Sequence, residues 1–190
     1  MSKKNLFNID NLSAQDIDEN SELIPLMTPE DEIEINKEEL PSTLPILSLR
    51  NTVLFPGVVI PITASRDKSI KLIKDANNFN KLLGVVAQKD ESIEDPKVND
   101  IYNIGTVAKI LKVLQMPDGN TTVIIQGKKR FEIERVISES PYITSNIKDY
   151  PEENPGNTNS KFSATIDSIK DLSLEIIKRN PNIPSEASFA

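Results

Sequence analysis

Gln126-Gly127-Lys128-Lys129-Arg130 contains a Gly-Lys pair, the smallest piece of a phosphate-cradling loop. Such a loop needs an upstream glycine, backbone N–H groups turned toward the phosphates, and a Ser or Thr after the lysine to reach the metal. Those residues are missing, so the run reads as a strand end carrying exposed lysines. There is no Gly-x-Ser-x-Gly elbow, and no strand runs into Gly-x-Gly-x-x-Gly. Ser, Thr and Lys are plentiful enough for a Ser-Lys or Thr-Lys dyad, but no spacing positions one. The Glu152-Glu153 pair sits in a proline-rich stretch and reads as solvated carboxylates. The absence of Cys removes thiolate nucleophiles, disulfides and thiolate metal sites, and the absence of His leaves carboxylates alone as metal ligands. No Asp-x-Asp-x-Asp-Gly-type loop supplies them. The sequence therefore assigns no catalytic residue, no metal site and no cofactor to this chain.

Two polar residues interrupt strongly apolar text: Arg50 and Arg130. Each needs a carboxylate or carbonyl partner at the rim of the sheet, with a structural ion pair as the simple reading and ligand binding as the alternative. Leu54-Phe55-Pro56-Gly57 is open to two readings as well. It is either a turn with core anchors or an exposed apolar lip able to hold unfolded segments.

The elements that must position these residues are mostly strands. Leu44 to Ile62 is the most apolar window, but Pro45, Pro56, Pro61 and the Arg50-Asn51 pair exclude a membrane span, which needs ~20 nearly uninterrupted apolar residues. It reads instead as two buried strands, Leu44–Leu49 and Val58–Ile62, around a bend at Phe55-Pro56-Gly57. Ser65 to Asn78 reads as a helix of about three turns, with Ser65 as cap, Asp67 in the first turn and Ile70, Ile73 and Ala76 facing the sheet. A strand follows at Leu82–Asp90, then a polar loop over residues 91–100 long enough to be mobile. Ile104 to Gly127 is a β-hairpin turning at Pro117-Asp118-Gly119-Asn120, with Thr121–Ile125 as the return strand. Residues 130–137 alternate as a half-buried strand, with Phe131, Ile133, Arg135 and Ile137 on its apolar side, and residues 140–150 add another extended segment.

Residues 151–159 form a Pro/Gly/Asn linker, after which the apolar period changes to 3.6. Phe162, Ile166, Ile169, Leu172 and Ile176 define one stripe of a helix closed by Asn180-Pro181, and Leu174 and Ile177 widen it. Ser185 then reads as the cap of another helix that the 190-residue chain does not complete, which marks a truncated piece.

At 21.2 kDa there is room for one ordinary domain and an appendage. Residues 1–40 hold eleven Asp/Glu against Lys3, Lys4 and Lys37, a net charge of −8. Since the whole chain carries −7, the remainder is nearly neutral at +1. Residues 1–40 thus read as an acidic disordered arm, 41–150 as the β-rich domain, and 160–190 as the amphipathic helix with the start of a helical subdomain. No basic face with interleaved aromatics points to nucleic acid. No apolar stretch follows the first lysines, so a secretory signal is absent and cytoplasmic residence is expected.

The segments LPILSLRNTVLFPGVVIPI, GVVAQKD, IGTVAKI, the hairpin, VIIQGKKRFEI and SPY occur in the order found in the N-terminal domain of Lon, the ATP-dependent protease, which this chain resembles from Leu44 to Tyr150 and more weakly over 160–180. Ser48 stands where that family often has proline, and the acidic arm precedes the family's usual start. The resemblance implies an α+β fold: a PUA-like domain, a twisted sheet or partial barrel of about six strands with one covering helix, leading into an α-helical segment. It implies a substrate-recognition and assembly role that catches unfolded or misfolded proteins; the turn Leu54, Phe55, Pro56 and Gly57, the apolar faces near Met116 and Pro117, and the long helix are, from their apolar character, the expected contact surface. In that family an AAA+ module using ATP and magnesium and a Ser-Lys protease module follow, assembled as a homohexamer; none of their residues lies here. The piece alone is expected to be non-catalytic and monomeric or weakly dimeric. A free-standing peptide- or ligand-binding module is the other reading, and an enzyme in its own right a third.

Overall fold

The computed structural model describes residues 40–116, 119–150 and 160–180. The acidic arm before Leu40, Pro117 and Asp118 of the hairpin turn, the 151–159 linker and the helix start at Ser185 lie outside them. The chain divides into two compact units, Met1–Pro151 and Glu152–Ala190.

In the first unit the order is β1 (Thr43–Leu49), β2 (Val59–Ala64), α1 (Asp67–Phe79), β3 (Leu82–Ala87), a 3-10 turn (Val98–Asp100), β4 (Ile104–Gln115), β5 (Thr121–Ser138) and β6 (Thr144–Asp149). The six strands lie in the order β2-β5-β4-β3-β1-β6, and a further pairing of β6 with β5 closes the ring. Only the β1–β3 pair is parallel. This is the α+β, six-stranded partial barrel with one covering helix that the resemblance implies.

Strand alternation divides the apolar residues between two clusters. Leu47, Leu49, Leu83, Val85, Ala108, Ile110, Val123 and Ile125 pack with Leu72, Ile73 and Ala76 of α1. On the opposite faces, Leu44, Ile46, Val86, Val107, Ile143 and Ile147 surround Phe131, whose ring is fully buried.

Several local expectations are corrected. The cap of α1 is Arg66 rather than Ser65 and makes no side-chain capping bond, and the helix ends at Phe79, one residue beyond the expected Asn78. Gln126 to Arg130 is not a strand end: β5 passes through it without a break for 18 residues, and Lys128 and Lys129 are half-buried. Irregularities in the β5–β6 register, between Ile133 and Arg135 and between Val136 and Ser138, shift the alternation. Ile137 and Arg135 accordingly turn out to solvent instead of into the core.

The loop after β3 is tied down at many points. Gln88 Nε2 donates to the carbonyls of Asp90 (2.7 Å) and Ile93 (2.6 Å). Lys68 pairs with Asp95 at 2.7 Å, and Lys97 and Asp100 bracket the 3-10 turn reciprocally.

The second unit contains α2 (Ser160–Arg179), with no buried residue and with Ile169, Leu172 and Ile176 exposed along one stripe. An i,i+4 pair between Glu175 and Arg179 (2.5 Å) sits at its end.

At Gly127 a neighbouring backbone leaves no room for a side chain. A Cβ there would lie 2.1 Å from the Phe55 carbonyl oxygen, where neither backbone can yield cheaply. Gly127→Ala is expected to lose about 2–4 kcal/mol of stability, read as a lower urea midpoint at unchanged slope. An unchanged midpoint would show that the two backbones are not held together.

A two-arginine concavity at an open strand edge

The connection from β1 to β2 is held by backbone bonds. The Gly57 N–H donates to Gly127 O (2.9 Å) and the Gly127 N–H to Val58 O (2.8 Å), while Thr106 Oγ1 donates to the buried carbonyl of Leu54 at 2.7 Å. Gly57 has φ +80°, a value a side chain would resist. The bend is therefore pinned, and it fixes where both strands end.

β1 is paired on both sides only through its first half. Leu49 O accepts from Gln88 N at 2.8 Å, so the peptide groups of Leu47 and Leu49 face β3, and those of Ile46 and Ser48 face away. On that second side β6 reaches Thr43–Pro45, and Ile46 N donates to Ile143 O (2.8 Å). Past this point Arg66 takes the place of a strand. Its Nη2 donates to Ser48 O (3.2 Å) and Oγ (3.4 Å), and its Nη1 to Glu94 O (3.1 Å). Beside it, Arg50 Nη2 donates to Ile93 O at 3.1 Å.

Between this stretch, the free side of β2 and the hairpin end lies a concavity of about 380 Å³. Leu47–Arg50, Pro61–Arg66 and Ser69 form most of its wall; Met116, Asn120 and Thr122 close it. Pro61, which has no N–H to give, suits a strand with one unpaired edge. The lining holds two arginines and no carboxylate. Burial lowers the Arg66 pKa first and the like charge of Arg50 lowers it further, while Asp95 acts in the opposite sense. Asp95 itself, bonded to Lys68, is held below the usual carboxylate range.

Of the residues singled out in the sequence, Arg50 and Met116 meet in this concavity. The turn Leu54–Gly57 does not line it. Leu54 is buried, Phe55 is 61% exposed, Pro56 is half-buried and Gly57 is buried. Arg130 is elsewhere, with its guanidinium 5.4 Å from the Tyr150 ring centre. Pro117 lies outside the described residues. Arg66 was not singled out at all. Its clue was available, since a cation at the start of a helix opposes the helix dipole and calls for another reason to be there.

The lining contains no Lys, Asp, Glu, His or Cys, so no side chain there can serve as an ordinary general base. A nucleotide–magnesium site does not fit the described residues either. Gly127 lies inside β5 with its N–H committed to Val58, and no cluster of three potential metal ligands occurs among them. The chemistry on offer is recognition, through two guanidinium groups, small polar side chains and a strand edge.

Fold and concavity together define a barrel-type binding domain. The chain matches the family model described as the ATP-dependent protease La (LON) substrate-binding domain over residues 43–189, and it belongs to that family. It is 64% identical to a Lon protease of Flavobacterium johnsoniae over 190 residues, covering 100% of this chain and 23% of that protein. To a Lon protease of Cytophaga hutchinsonii it is 47% identical over 169 residues, covering 89% and 21%. The chain thus spans less than a quarter of these relatives' length. Among solved structures, the N-terminal domain of the Mycobacterium avium complex Lon protease shares the fold with a TM-score of 0.57 at 24% identity, over 72% of this chain and 68% of that one. A Lon N-terminal domain protein from Xanthomonas campestris does so with 0.54 at 16%, over 70% and 75%.

The tether of the loop after β3 is acid-sensitive, with a definite sign. Asp90 and Asp95 both have depressed folded pKa values, the first through Ser92 and the second through Lys68. Their contribution is present above the unfolded carboxylate pKa of ~3.9 and is lost as pH falls through the lower folded values. Between about pH 7 and about pH 3 the amides of Ser92 to Lys97 should lose hydrogen-exchange protection, after correction for intrinsic rates. Asp95→Asn should reproduce part of that loss at neutral pH. Protection that ignores both changes would show that the ionic tether holds nothing.

Proposed function

We propose that this domain captures unfolded or misfolded polypeptide for an ATP-dependent, Lon-type serine protease and helps that protease assemble. The observation that carries the reading is Phe55, an aromatic ring 61% exposed on a turn whose backbone is pinned to β4 and β5. Holding a large apolar side chain in water on a rigid turn gains nothing for the fold. It offers a preformed contact to apolar segments that folded proteins hide. Val53, 59% exposed and two residues earlier, enlarges the lip.

The proposal extends to the parent protein. ATP and magnesium, an AAA+ module, a Ser-Lys protease module and a homohexamer belong to it, as do cytoplasmic quality control, the stress response and turnover of short-lived regulatory proteins. Membership of the LON substrate-binding family and high identity to proteins named Lon protease support these points. Among the described residues no helix is long and apolar enough to cross a membrane. Six copies of a weak, sequence-tolerant lip would gain by avidity what one lacks in affinity. This chain alone should hydrolyse nothing when given casein and ATP.

The reading is tested by binding a fluorescent, permanently unfolded protein to the chain. Phe55→Ser is expected to weaken capture roughly tenfold, the scale set by losing burial of one large apolar side chain, while the thermal midpoint holds. Met116→Ala should weaken it less. Undiminished capture by both folded variants would remove these positions from the contact surface.

A further inference from the structure

We propose that the concavity between β1 and β2 binds an extended polypeptide segment through a carboxylate side chain, which Arg50 and Arg66 receive together. This rests on the reading that the domain captures polypeptide and gives that capture a chemical preference: acidic residues beside apolar ones.

Charge is the first argument. Both guanidinium groups are anchored on neutral carbonyl oxygens, Arg50 on Ile93 and Arg66 on Ser48 and Glu94. These bonds fix the groups in place without cancelling either charge. The lining contributes no carboxylate, and nearby Asp95 is already bonded to Lys68. Two like charges are thus held close enough to disfavour each other, one of them partly desolvated. An anion between them relieves both costs, and the planar fork of arginine suits a carboxylate.

Backbone geometry is the second argument. One wall is β2, which has a neighbour on one side only and so offers the open edge; the other is the stretch of β1 beyond β6, where Arg66 already bonds the Ser48 carbonyl. A peptide in extended form matches such an open edge. At about 380 Å³ the space is at the small end of ligand sites, suited to one side chain and its flanking backbone rather than to a helix about 10 Å across. The start of α1, whose cap residue Arg66 makes no side-chain capping bond, adds the positive end of a helix dipole beside the arginines.

A peptide carboxylate is favoured over nucleic acid because the cations beyond Arg66 are interleaved with acid: Lys68 is paired with Asp95, and Lys97 lies near the same carboxylate. Residues 41–190 sum to +1, and this interleaving breaks the basic surface along which a phosphate backbone would run. The apolar preference comes from continuity: Thr52 lines the concavity, and Val53 and Phe55 stand exposed immediately after it.

The test is a fluorescence-anisotropy titration of the 190-residue chain with two labelled peptides of alternating valine and glutamate, or valine and glutamine. The glutamate peptide is expected to bind about tenfold or more tighter, as fits charge-assisted hydrogen bonds. Arg50→Gln should reduce it to the glutamine level and leave the glutamine peptide unchanged. Arg50 is exposed and tied by one carbonyl bond, so the fold is expected to survive, with a urea midpoint as check. Arg66→Gln, which removes anchors, is read only if that midpoint is kept.

Equal affinity for the two peptides, or a glutamate preference that persists in folded Arg50→Gln, would overturn the proposal. So would Arg50-dependent binding of inorganic phosphate or a short oligonucleotide with no binding of the glutamate peptide, which would assign the site to phosphate. Capture of unfolded protein with equal peptide affinities would leave the substrate-capture reading standing while this one fails. Arg50-dependent glutamate binding without unfolded-protein capture would do the reverse for its peptide chemistry.

Discussion

The contact on which the rest of the barrel depends is backbone against backbone, where the bend before β2 meets Gly127. Three hydrogen bonds converge there: two between Gly57–Val58 and Gly127, and one from Thr106 to Leu54. Each is worth only ~1 kcal/mol net, but a buried peptide group left unpaired costs more, so the bend is held mainly by what its loss would expose. Pinned in this way, β2 can lie along β5 although it has no other neighbour. β1 and β2 are then set apart as the two walls of a concavity instead of joining as a hairpin.

β5 supplies the other half of the construction. Its first part pairs with β2 and β4, and its second part with β4 and β6, so one continuous strand serves both ends of the ring. The turn of direction is filled by Phe131. A Cβ at Gly84 or Gly105 would come within 3.0 Å of its ring, so the two small residues on neighbouring strands leave the space that the aromatic occupies. Register irregularities beyond Ile133 let β6 close the ring, and Ile137 is exposed in consequence.

Much of this was legible in the sequence because it is local. The alternation of Leu83 and Val85 with Gly84 and Val86, the turn residues of the hairpin and the Ile73–Ala76 face of α1 depend on neighbours a few positions away. The resemblance to Lon domains supplied the order in which these pieces assemble. What remained hidden depends on partners far along the chain. Gly127-Lys128 resembled a strand end because nothing local records that Phe55, 72 positions earlier, lies against it. The loop after β3 looked free because its long-range ties, on Arg50, Arg66 and Lys68, come from residues more than 25 positions before the atoms they hold. Arg50 and Met116 were visible as single residues, but their meeting in one concavity was not.

The departures from ordinary folding preference are unevenly spread. β3, β4 and β6 bury apolar residues and pair their edges as a stable sheet should. Along the stretch from Ser48 to Ser69 the chain instead holds an unpaired strand edge, two like charges side by side, a cation at a helix start and an exposed phenylalanine. The exposed phenylalanine and the open edge of β2 add nothing to the fold, and the two arginines tie the loop after β3 at a cost in like-charge repulsion that neutral donors would avoid. A sequence that is consistent across most of its length and inconsistent in one contiguous stretch has usually been selected there for something other than stability. In this domain that stretch presents charge, strand edge and apolar surface together, the combination on which the proposed capture of an unfolded chain would draw.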